Sequence, residues 1–230
     1  MDLSTTPKIS VILSTHNNAL NVKNSIYSVL NQSYKNFELL VLDDGSSDDT
    51  WKVLNSIYDS RLKLFRNNIN IGLTKSLNKL ISYSNGIYIA RQDDDDISLP
   101  HRFEKQLNIL SNTQYSVCTS RAIVKNTKKT IPGNSFYLPT KIIYKFKNPF
   151  IHGTMMIDKS CINILGGYDE NFYYAQDYKL FSDLIKNKFQ IYQIKEPLYI
   201  LNMEGNISSE KSIEQNYYAK CVKKNIIPNL

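Results

Sequence analysis

The first ninety residues alternate continuous apolar runs with segments in which apolar residues recur every three or four positions. The continuous runs are typical of buried parallel strands, and they predict strands at residues 8–14, 37–42, 61–66 and 86–91. The periodic segments predict helices at residues 19–32, 48–57 and 73–85. This alternation predicts an α/β fold with a Rossmann-like, mostly parallel central sheet, flanked by helices that form right-handed crossovers.

After Pro100 the pattern is less regular. It predicts strands at residues 115–124, 150–157 and 189–194, and a loop at residues 126–133. It predicts helices at residues 101–110, 138–146, 175–187 and 210–224. Gly153 lies inside a predicted strand, which indicates that another group approaches the backbone there. Because no linker, repeat or low-complexity segment interrupts the sequence, we expect a single continuous domain.

Four consecutive aspartates, residues 93–96, directly follow the fourth predicted strand. The carboxyl ends of strands in an α/β sheet are where ligands usually bind. Mg²⁺ and Mn²⁺ prefer carboxylate oxygens and usually share them with the phosphates of a substrate. The run therefore indicates a divalent cation site, with a solvated acidic turn as the alternative. An EF-hand is excluded because Ile97 and Ser98 stand where a ligand and a glycine belong.

Short polar segments also follow the first two strands, at residues 14–17 and 43–46. A carboxylate of Asp43 or Asp44 could accept a hydrogen bond from a nucleobase or a ribose, although an Asx turn that begins a helix is the alternative. The sequence has no P-loop and no G-x-G-x-x-G motif after its first strand. A nucleotide would therefore be held by carboxylates on its base and ribose and by a metal ion on its diphosphate.

A fourth polar feature lies at residues 166–178. Gly166 and Gly167 permit a tight backbone path, and Asp177 falls in the first turn of the helix predicted to follow. A carboxylate at that position is favoured by the helix dipole and stays ionised, which suits a general base. A helix-start acid without a chemical role is the alternative.

Composition limits the class of protein. With 42% hydrophobic and 21% charged residues, the sequence is typical of a globular domain. No apolar run approaches the roughly 18 residues of a transmembrane helix, and residues 1–6 do not resemble a signal peptide. The three cysteines are odd in number and widely spaced, so we expect reduced, partly buried thiols in a cytoplasmic protein.

The formal net charge is +7, and many of the lysines are clustered. The clusters are Lys125, Lys128 and Lys129; Lys141, Lys145 and Lys147; and Lys220, Lys223 and Lys224. Nucleic acid, an anionic membrane surface or a phosphorylated substrate could each use such a field. A solvated, lysine-rich surface without a partner is the alternative.

Seven motifs, taken in order, resemble family 2 of the inverting, nucleotide-sugar-dependent glycosyltransferases. They are VILSTHNN (11–18), SVLNQSY (28–34), DDGSSD (43–48), NIGL (70–73), ARQDDDD (90–96), LPHRFEKQ (99–106) and GGYDE (166–170). The resemblance runs from about residue 8 to about residue 200. It implies the GT-A fold, with a nucleotide-sugar-binding half at residues 8–110, an acceptor-binding half at 111–200 and a C-terminal tail at 201–230.

The resemblance also implies ligands and roles. It implies a UDP-linked sugar donor, Mn²⁺ or Mg²⁺ as cofactor, a glycan or lipid-linked acceptor, and no nucleic-acid partner. The implied donor-binding residues are Ser14, His16, Asp43, Asp44, Asp93, Asp94 and Asp95. Asp95 corresponds to the direct metal ligand and Asp177 to the catalytic base. The family further implies bacterial surface-polysaccharide synthesis. We expect a cytoplasmic protein whose basic surface contacts the anionic inner face of the cell membrane or a lipid-pyrophosphate acceptor.

The sequence departs from the family pattern in two places. Gln176 precedes Asp177 where the family often has glutamate, which removes a charge but keeps the base. Residues 199–202 are Tyr-Ile-Leu-Asn where many relatives have Tyr-Arg-x-His, so a diphosphate or acceptor contact loses its usual residue. His152 could replace that contact, and a structural histidine is the alternative.

Two other classes of protein remain open. A sugar nucleotidyltransferase would share the sheet and the metal, but it should carry a glycine-rich, basic loop after its first strand, and residues 14–17 are neither. A non-catalytic nucleotide- or glycan-binding module is the other, and it would be favoured if Asp177 lay far from the metal site.

Overall fold

One sheet of nine strands organises the computed structural model, which describes residues 8–203 and 211–229. The strands are β1 (Ile9–Thr15), β2 (Phe37–Asp43), β3 (Leu62–Arg66), β4 (Tyr88–Arg91), β5 (Ile97–Ser98), β6 (Val117–Val124), β7 (Thr130–Ile131), β8 (Met156–Asp158) and β9 (Ile191–Leu201). The helices are α1 (Val22–Leu30), α2 (Thr50–Asn55), α3 (Leu73–Tyr83), α4 (Arg102–Asn112), α5 (Thr140–Ile143), α6 (Lys159–Ile164), α7 (Gln176–Lys186) and α8 (Ser212–Lys224). Short 3₁₀ turns occupy Asn134–Tyr137 and His152–Thr154.

The sheet is mostly parallel. Strands β3, β2, β1 and β4 lie side by side in that order and are parallel, as the sequence predicts. The order continues through β8, β6, β9 and β5, with β7 paired to β6. Strand β8 is antiparallel to both neighbours, β6 and β9 are parallel to each other, and β5 is antiparallel to β9. The sheet curls so that β9 approaches the end of β4. At that point the backbone N–H of Asp93 donates to the Tyr199 hydroxyl on β9 (3.1 Å).

Helices cover both faces of the sheet. On one face, α1, α2 and α4 bury apolar side chains such as Ile26 and Phe103 against β1 and β2. On the other face, α3, α6 and α7 do the same with side chains such as Leu77 and Phe181. Every residue of β1 and β2 is buried, which explains why these strands are so apolar in the sequence. Helix α8 packs on α7 through a smaller cluster that includes Tyr218.

The predictions for the first half are confirmed, with boundaries that shift by a few residues. The helix predicted at residues 73–85 ends at Tyr83, and Ser84 is already extended. A Cβ atom on Gly86 would lie 2.4 Å from the backbone nitrogen of Ser10. Glycine is therefore required where the chain enters β4 beside β1.

The strand predicted at residues 150–157 is largely wrong. The 3₁₀ turn His152–Thr154 occupies its centre, and only Met156–Asp158 forms a strand. A Cβ atom on Gly153 would lie 2.5 Å from both Asp93 Oδ2 and the Tyr199 hydroxyl. The predicted close approach at Gly153 is confirmed, and the turn is the means by which the backbone comes that near to the aspartate run.

Other differences concern short elements. The predicted loop at residues 126–133 contains β7, and the helix predicted at residues 138–146 is shortened to α5. Strand β5 and helix α6 are not predicted, because two residues and six residues are too few to produce a periodic pattern. The C-terminal helix begins at Ser212, and the predicted start at residue 210 lies outside the described residues.

The three cysteines are free and buried, as predicted. Within residues 8–203 and 211–229, no helix combines the length and the apolar character needed to cross a membrane. The prediction about the N-terminus concerns residues 1–6, and part of the predicted tail concerns residues 204–210 and 230. All of these lie outside the described residues.

Candidate active site

The carboxyl ends of β1, β2 and β4 meet at one edge of the sheet and bring the three predicted polar segments together. The hydroxyl of Thr15, at the end of β1, donates to Asp94 Oδ2 (2.6 Å). The backbone N–H of Asp44, after β2, donates to the carbonyl oxygen of Thr15 (2.8 Å). His16 Nδ1 lies 2.9 Å from the carbonyl oxygen of Asp44. The three polar segments therefore lie in contact with one another at this edge of the sheet.

Asp93 is paired with a buried arginine. The guanidinium of Arg91, 1% exposed, donates from Nη2 to Asp93 Oδ1 (2.6 Å). The second buried guanidinium, that of Arg102, holds the same backbone because its Nη2 donates to the carbonyl oxygen of Arg91 (2.8 Å). The first aspartate of the run is thus neutralised from within the protein, and its other oxygen lies beside Gly153.

The pKa values of the next three aspartates are raised by burial and by the neighbouring carboxylates. Burial, together with the charges of Asp95 and Asp93, raises the pKa of Asp94 to about 6 against the hydrogen bond from Thr15. Burial and the charges of Asp93 and Asp95 raise the pKa of Asp96 to about 9. Burial and the charge of Asp93 also raise the pKa of Asp95. A cation bound here would relieve this repulsion.

The three carboxylates differ in how free they are to bind a ligand. Asp96 is 1% exposed, and its Oδ1 accepts the backbone N–H of Asn202 (2.6 Å). Asp94 is held by Thr15. Asp95 remains partly exposed and meets the side-chain amide of Asn202, with Nδ2 3.2 Å from Oδ2. Asp95 is therefore the member of the run best placed to reach a ligand outside the protein.

The aspartate run fits a metal ion that is shared with a substrate. In the part of the chain that the structure describes, no three His, Cys, Asp or Glu side chains are grouped so as to hold a metal by themselves. Carboxylate oxygens are nevertheless the ligands that Mg²⁺ and Mn²⁺ prefer, and Mg²⁺ often uses one or two of them together with waters and substrate phosphates. Asp95 suits that role.

Asp43 shapes the loop after β2. Its side chain is fully buried. Its Oδ1 accepts the backbone N–H of Ser46 (3.0 Å), and its Oδ2 lies 3.1 Å from Nε of Arg66. These contacts make the Asx-type turn that the sequence offers as an alternative. Any contact of Asp43 with a nucleotide would therefore add to a structural role.

Asp44 connects this loop to the start of α3. Its two oxygens accept hydrogen bonds from the side chain of Asn67 (2.8 Å) and from the backbone N–H groups of Ile71 (3.0 Å) and Gly72 (2.9 Å). A carboxylate has about four lone-pair sites, so three accepted bonds leave room for one more donor. A hydrogen bond from a nucleobase or a ribose to Asp44 would therefore be a fourth one, added to the three that Asp44 already accepts.

Ser14 and His16 stand on either side of Thr15. Ser14 is buried at the end of β1, opposite Leu42 of β2, whereas His16 is exposed. The His16 ring is fixed from both sides, because its Nε2 lies 3.2 Å from Nδ2 of Asn17 and its Nδ1 faces Asp44. The exposed ring thus lies at the carboxyl ends of β1 and β2.

Asp177 lies in the first turn of α7, as predicted. Its Oδ2 accepts a hydrogen bond from the side-chain amide of Asn148 (2.8 Å), and the residue is partly exposed. Ala175, directly before the helix, adopts a left-handed conformation with φ of 52°. Non-glycine residues in this region are strained, and such strain is often found at functional sites. The backbone conformation of Ala175 thus fixes the direction in which α7 begins, and with it the position of Asp177.

A histidine–tyrosine pair interacts electrostatically with both Asp177 and the aspartate run. His152 Nε2 lies 2.7 Å from the Tyr168 hydroxyl. Burial and the charge of Arg91 lower the pKa of His152 to about 4, so the imidazole is neutral at pH 7. The carboxylates of Asp93 and Asp177 both act on this imidazole and on the phenol of Tyr168, whose pKa burial raises. The pair therefore lies within electrostatic reach of both acidic groups.

Sequence reasoning missed several residues that build this arrangement. They are Asn148, Tyr168, Tyr199 and Asn202. A signal existed for Asn202, because residues 199–202 depart from the family pattern. The tyrosines give no such signal, because a buried Tyr looks like any core residue in the sequence.

The curled, mostly parallel sheet and its acidic edge are those of a GT-A glycosyltransferase. The structure is similar to S. aureus TarS 1–349 in complex with UDP, with a TM-score of 0.76 and 19% identity over 96% of this chain and 67% of that one. It is also similar to the mannosyltransferase PcManGT from Pyrobaculum calidifontis in complex with GDP-Man and Mn²⁺, with a TM-score of 0.75 and 15% identity over 98% of this chain and 67% of that one. These likenesses confirm the predicted GT-A fold.

The sequence identifies the family. Residues 10–177 match the model described as Glycosyl transferase family 2, and the chain belongs to this family. It is 33% identical to the putative glycosyltransferase EpsE of Bacillus subtilis, over 90% of this chain and 77% of the relative. It is 34% identical to the O-antigen biosynthesis glycosyltransferase WbnJ of Escherichia coli, over 78% of this chain and 72% of the relative. The family resemblance noted from the motifs is confirmed.

Proposed function

We propose that this family 2 enzyme is a metal-dependent, inverting glycosyltransferase that moves a sugar from a UDP-linked donor to a hydroxyl group of a glycan or lipid-linked acceptor. The observation that carries the proposal is that the aspartate run meets the polar segment after β1, where Thr15 donates to Asp94, while Asn148 holds Asp177 at the start of α7. A displacement reaction needs a site for the leaving diphosphate near a group that activates the incoming hydroxyl. The aspartate run suits the first task and Asp177 the second.

The names of relatives support the choice of donor and acceptor. E. coli WfgD, 33% identical over 78% of this chain and 70% of the relative, is named as a glucosyltransferase that uses UDP-Glc and an α-D-GlcNAc-diphosphoundecaprenol acceptor. TarS structures contain UDP or UDP-GlcNAc, whereas PcManGT contains GDP-Man and Mn²⁺. They favour a UDP-sugar, a divalent cation and work in bacterial surface-polysaccharide assembly at the cytoplasmic face of the membrane. A GDP-linked donor is the competing result of a donor screen.

Each site residue has a role in this proposal. Asp44, with Ser14 and His16, contacts the base and ribose, while Asp43 keeps the loop between them in shape. Asp93 and Asp94 face the ribose and the donor sugar. Asp95 would hold Mn²⁺ or Mg²⁺, which when bound would neutralise the charge that develops on the leaving diphosphate.

The proposed reaction is a single displacement. Asp177 accepts the proton of the acceptor hydroxyl while that oxygen attacks the anomeric carbon. The bond between this carbon and the diphosphate oxygen breaks, and the electron pair leaves with the diphosphate. Attack from the opposite face inverts the anomeric centre. Asn148 holds Oδ2 of Asp177 and leaves Oδ1 to take the proton, while the neutral His152 can hydrogen-bond the acceptor or the diphosphate.

UDP should bind tightly only with a divalent cation, because its phosphates would otherwise meet several carboxylates. In calorimetry with Mn²⁺ present, excess EDTA should weaken UDP binding at least about tenfold, which corresponds to 1.4 kcal/mol. Uridine has no phosphates and is the control, since chelation should leave its affinity unchanged. Undiminished UDP affinity in EDTA would remove the shared metal ion from the proposal.

Asp44→Ala should weaken uridine binding by about tenfold to a hundredfold, as expected for a lost hydrogen bond to a charged group. The same change releases the groups that Asp44 holds, so Asn67→Ala serves as the matched control. Asn67→Ala loosens the same loop but keeps the carboxylate. Equal losses of uridine affinity in the two variants, measured by calorimetry, would mean that Asp44 acts only through the loop.

A further inference from the structure

Large apolar side chains are exposed at residues 134–147, before Asp177 in the sequence. We call this segment the 134–147 surface. Four of these side chains are at least half exposed: Tyr137, Leu138, Ile142 and Phe146. Phe146 is 71% exposed, an unusual state for a phenylalanine. Exposed apolar residues that cluster in this way usually mark an interaction site.

Packing on the opposite side holds these side chains outward. Ile143 is buried, and the ring of Tyr144 packs edge-on against Tyr178 of α7, with 5.2 Å between centroids. The Tyr178 hydroxyl donates to the carbonyl oxygen of Tyr144 (2.6 Å). Because α5 turns this side toward α7, its neighbours Ile142 and Phe146 face away from the core. Their exposure follows from a fixed backbone.

Along the chain, the charges in and around this segment are all positive. The sequence has no Asp or Glu between Glu104 and Asp158. Within residues 125–150 it has six lysines, which are Lys125, Lys128, Lys129, Lys141, Lys145 and Lys147. Lys145 and Lys147 are exposed on either side of Phe146. Lys223 of α8 adds another cation, since its Nζ donates to the carbonyl oxygen of Phe146 (2.6 Å).

We propose that the 134–147 surface docks onto an anionic lipid membrane. Aliphatic and aromatic side chains bordered by lysines are the chemistry of interfacial membrane anchors, in which the apolar groups enter the boundary region and the lysines meet anionic headgroups. A protein partner would have to be strongly acidic to match this surface. A polar glycan would gain little from Ile142 and Leu138.

Docking of the 134–147 surface would also determine how far Asp177 lies from the membrane, an inference that rests on the proposed function. The segment continues directly into Asn148, whose side chain holds Asp177, and Tyr144 packs against the residue that follows Asp177. Docking would therefore bring Asp177 close to the membrane surface, where the hydroxyl groups of a lipid-linked acceptor lie.

Flotation with two kinds of vesicle tests the docking. The parent protein should bind vesicles of equal parts phosphatidylglycerol and phosphatidylcholine more tightly than pure phosphatidylcholine vesicles. Ile142→Ser with Phe146→Ser should lose at least about tenfold in partitioning at low and high salt. Lys145→Gln with Lys147→Gln should lose about 25-fold at low salt, or fivefold per lysine, and far less at high salt.

Matched controls use residues of the same kind elsewhere on the surface. Tyr58→Ser with Ile164→Ser removes exposed apolar side chains, and Lys35→Gln with Lys52→Gln removes exposed charges. Both control pairs should bind the anionic vesicles as the parent does. Parental binding by either test pair, or equal binding of the parent to the two vesicle types, would overturn the proposal.

Two further measurements separate the remaining explanations. If sedimentation velocity shows a parent dimer that Ile142→Ser with Phe146→Ser converts to monomer without loss of vesicle binding, a second copy covers this surface and the proposal is wrong. UDP binding with Mn²⁺, measured without lipid, should be parental in that variant. Lost vesicle binding with intact UDP binding supports the docking, whereas a parent that binds vesicles but not UDP would contradict only the proposed function.

Discussion

Asp177→Asn should lower kcat by about 10² to 10⁴, the usual contribution of a positioned general base, and should leave donor affinity near its parental value. Asparagine keeps the shape of the side chain but cannot accept the proton of the acceptor hydroxyl. Its carbonyl oxygen can still accept the hydrogen bond from Asn148, so the start of α7 should not move. Donor titration and product formation with a competent acceptor measure the two quantities separately, and a loss confined to kcat identifies an interaction made only in the transition state.

Two variants serve as controls for this result. Asp183→Asn makes the same change on the same helix, at a carboxylate that pairs with Lys179 (2.5 Å), and it should leave kcat unchanged. Asn148→Ala removes the amide that orients Asp177 but keeps the base, so its loss of kcat should be much smaller than that of Asp177→Asn. A loss confined to Asp177→Asn would separate proton transfer from disturbance of the helix.

Near-parental kcat in Asp177→Asn would exclude Asp177 from the mechanism and point to its neighbours. Asp169 lies 3.3 Å from Nζ of Lys179, and Glu170 accepts a hydrogen bond from Asn78, so both help to hold the loop before α7. His152 would then be the remaining candidate, because its imidazole lies beside Tyr168 and near Asp93.

The first half of the fold is predictable from the sequence because of where its strands lie. Strands β1 and β2 are buried on both faces, so each appears as an apolar run that stops at a polar segment. The region after Pro100 lacks this simplicity. Its strands include antiparallel pairs and short segments, and the turn at His152–Thr154 follows from contacts with Asp93 and Tyr199 that no local pattern can reveal.

The same distinction holds for the candidate site. Residues at strand ends, such as Thr15 and Asp93, are placed by the sheet itself, so their proximity follows from a parallel topology. The contacts that distinguish one aspartate from the next are not local. Asn202 lies 107 residues from Asp95, and its backbone and side chain reach two different carboxylates of the run. Only the curl of the sheet, which brings β9 to the end of β4, makes that meeting possible.

Asp95→Ala should reduce kcat by about 10² to 10³ or more, because the charge of the leaving diphosphate would lose its electrostatic partner. It should also weaken Mn²⁺-dependent UDP binding, while uridine binding stays near the parental value. Asp95 is partly exposed and accepts a long hydrogen bond from Asn202 Nδ2, so the fold should tolerate the change. Calorimetry with UDP and with uridine, together with turnover measured across a Mn²⁺ titration, gives all three quantities.

Asp96→Asn is the matched control, since it replaces the next carboxylate of the run by a neutral group. Burial and the charges of Asp93 and Asp95 raise the pKa of Asp96 to about 9, and the side chain is held inside the protein by Asn202. The variant retains an oxygen that can accept the backbone N–H of Asn202, and it should bind UDP and turn over much as the parent does. If the two variants lost activity equally, Asp95 would have no separate role as a metal ligand. A large loss in Asp95→Ala alone would mean that neighbouring carboxylates are divided between binding the cation and building the crevice.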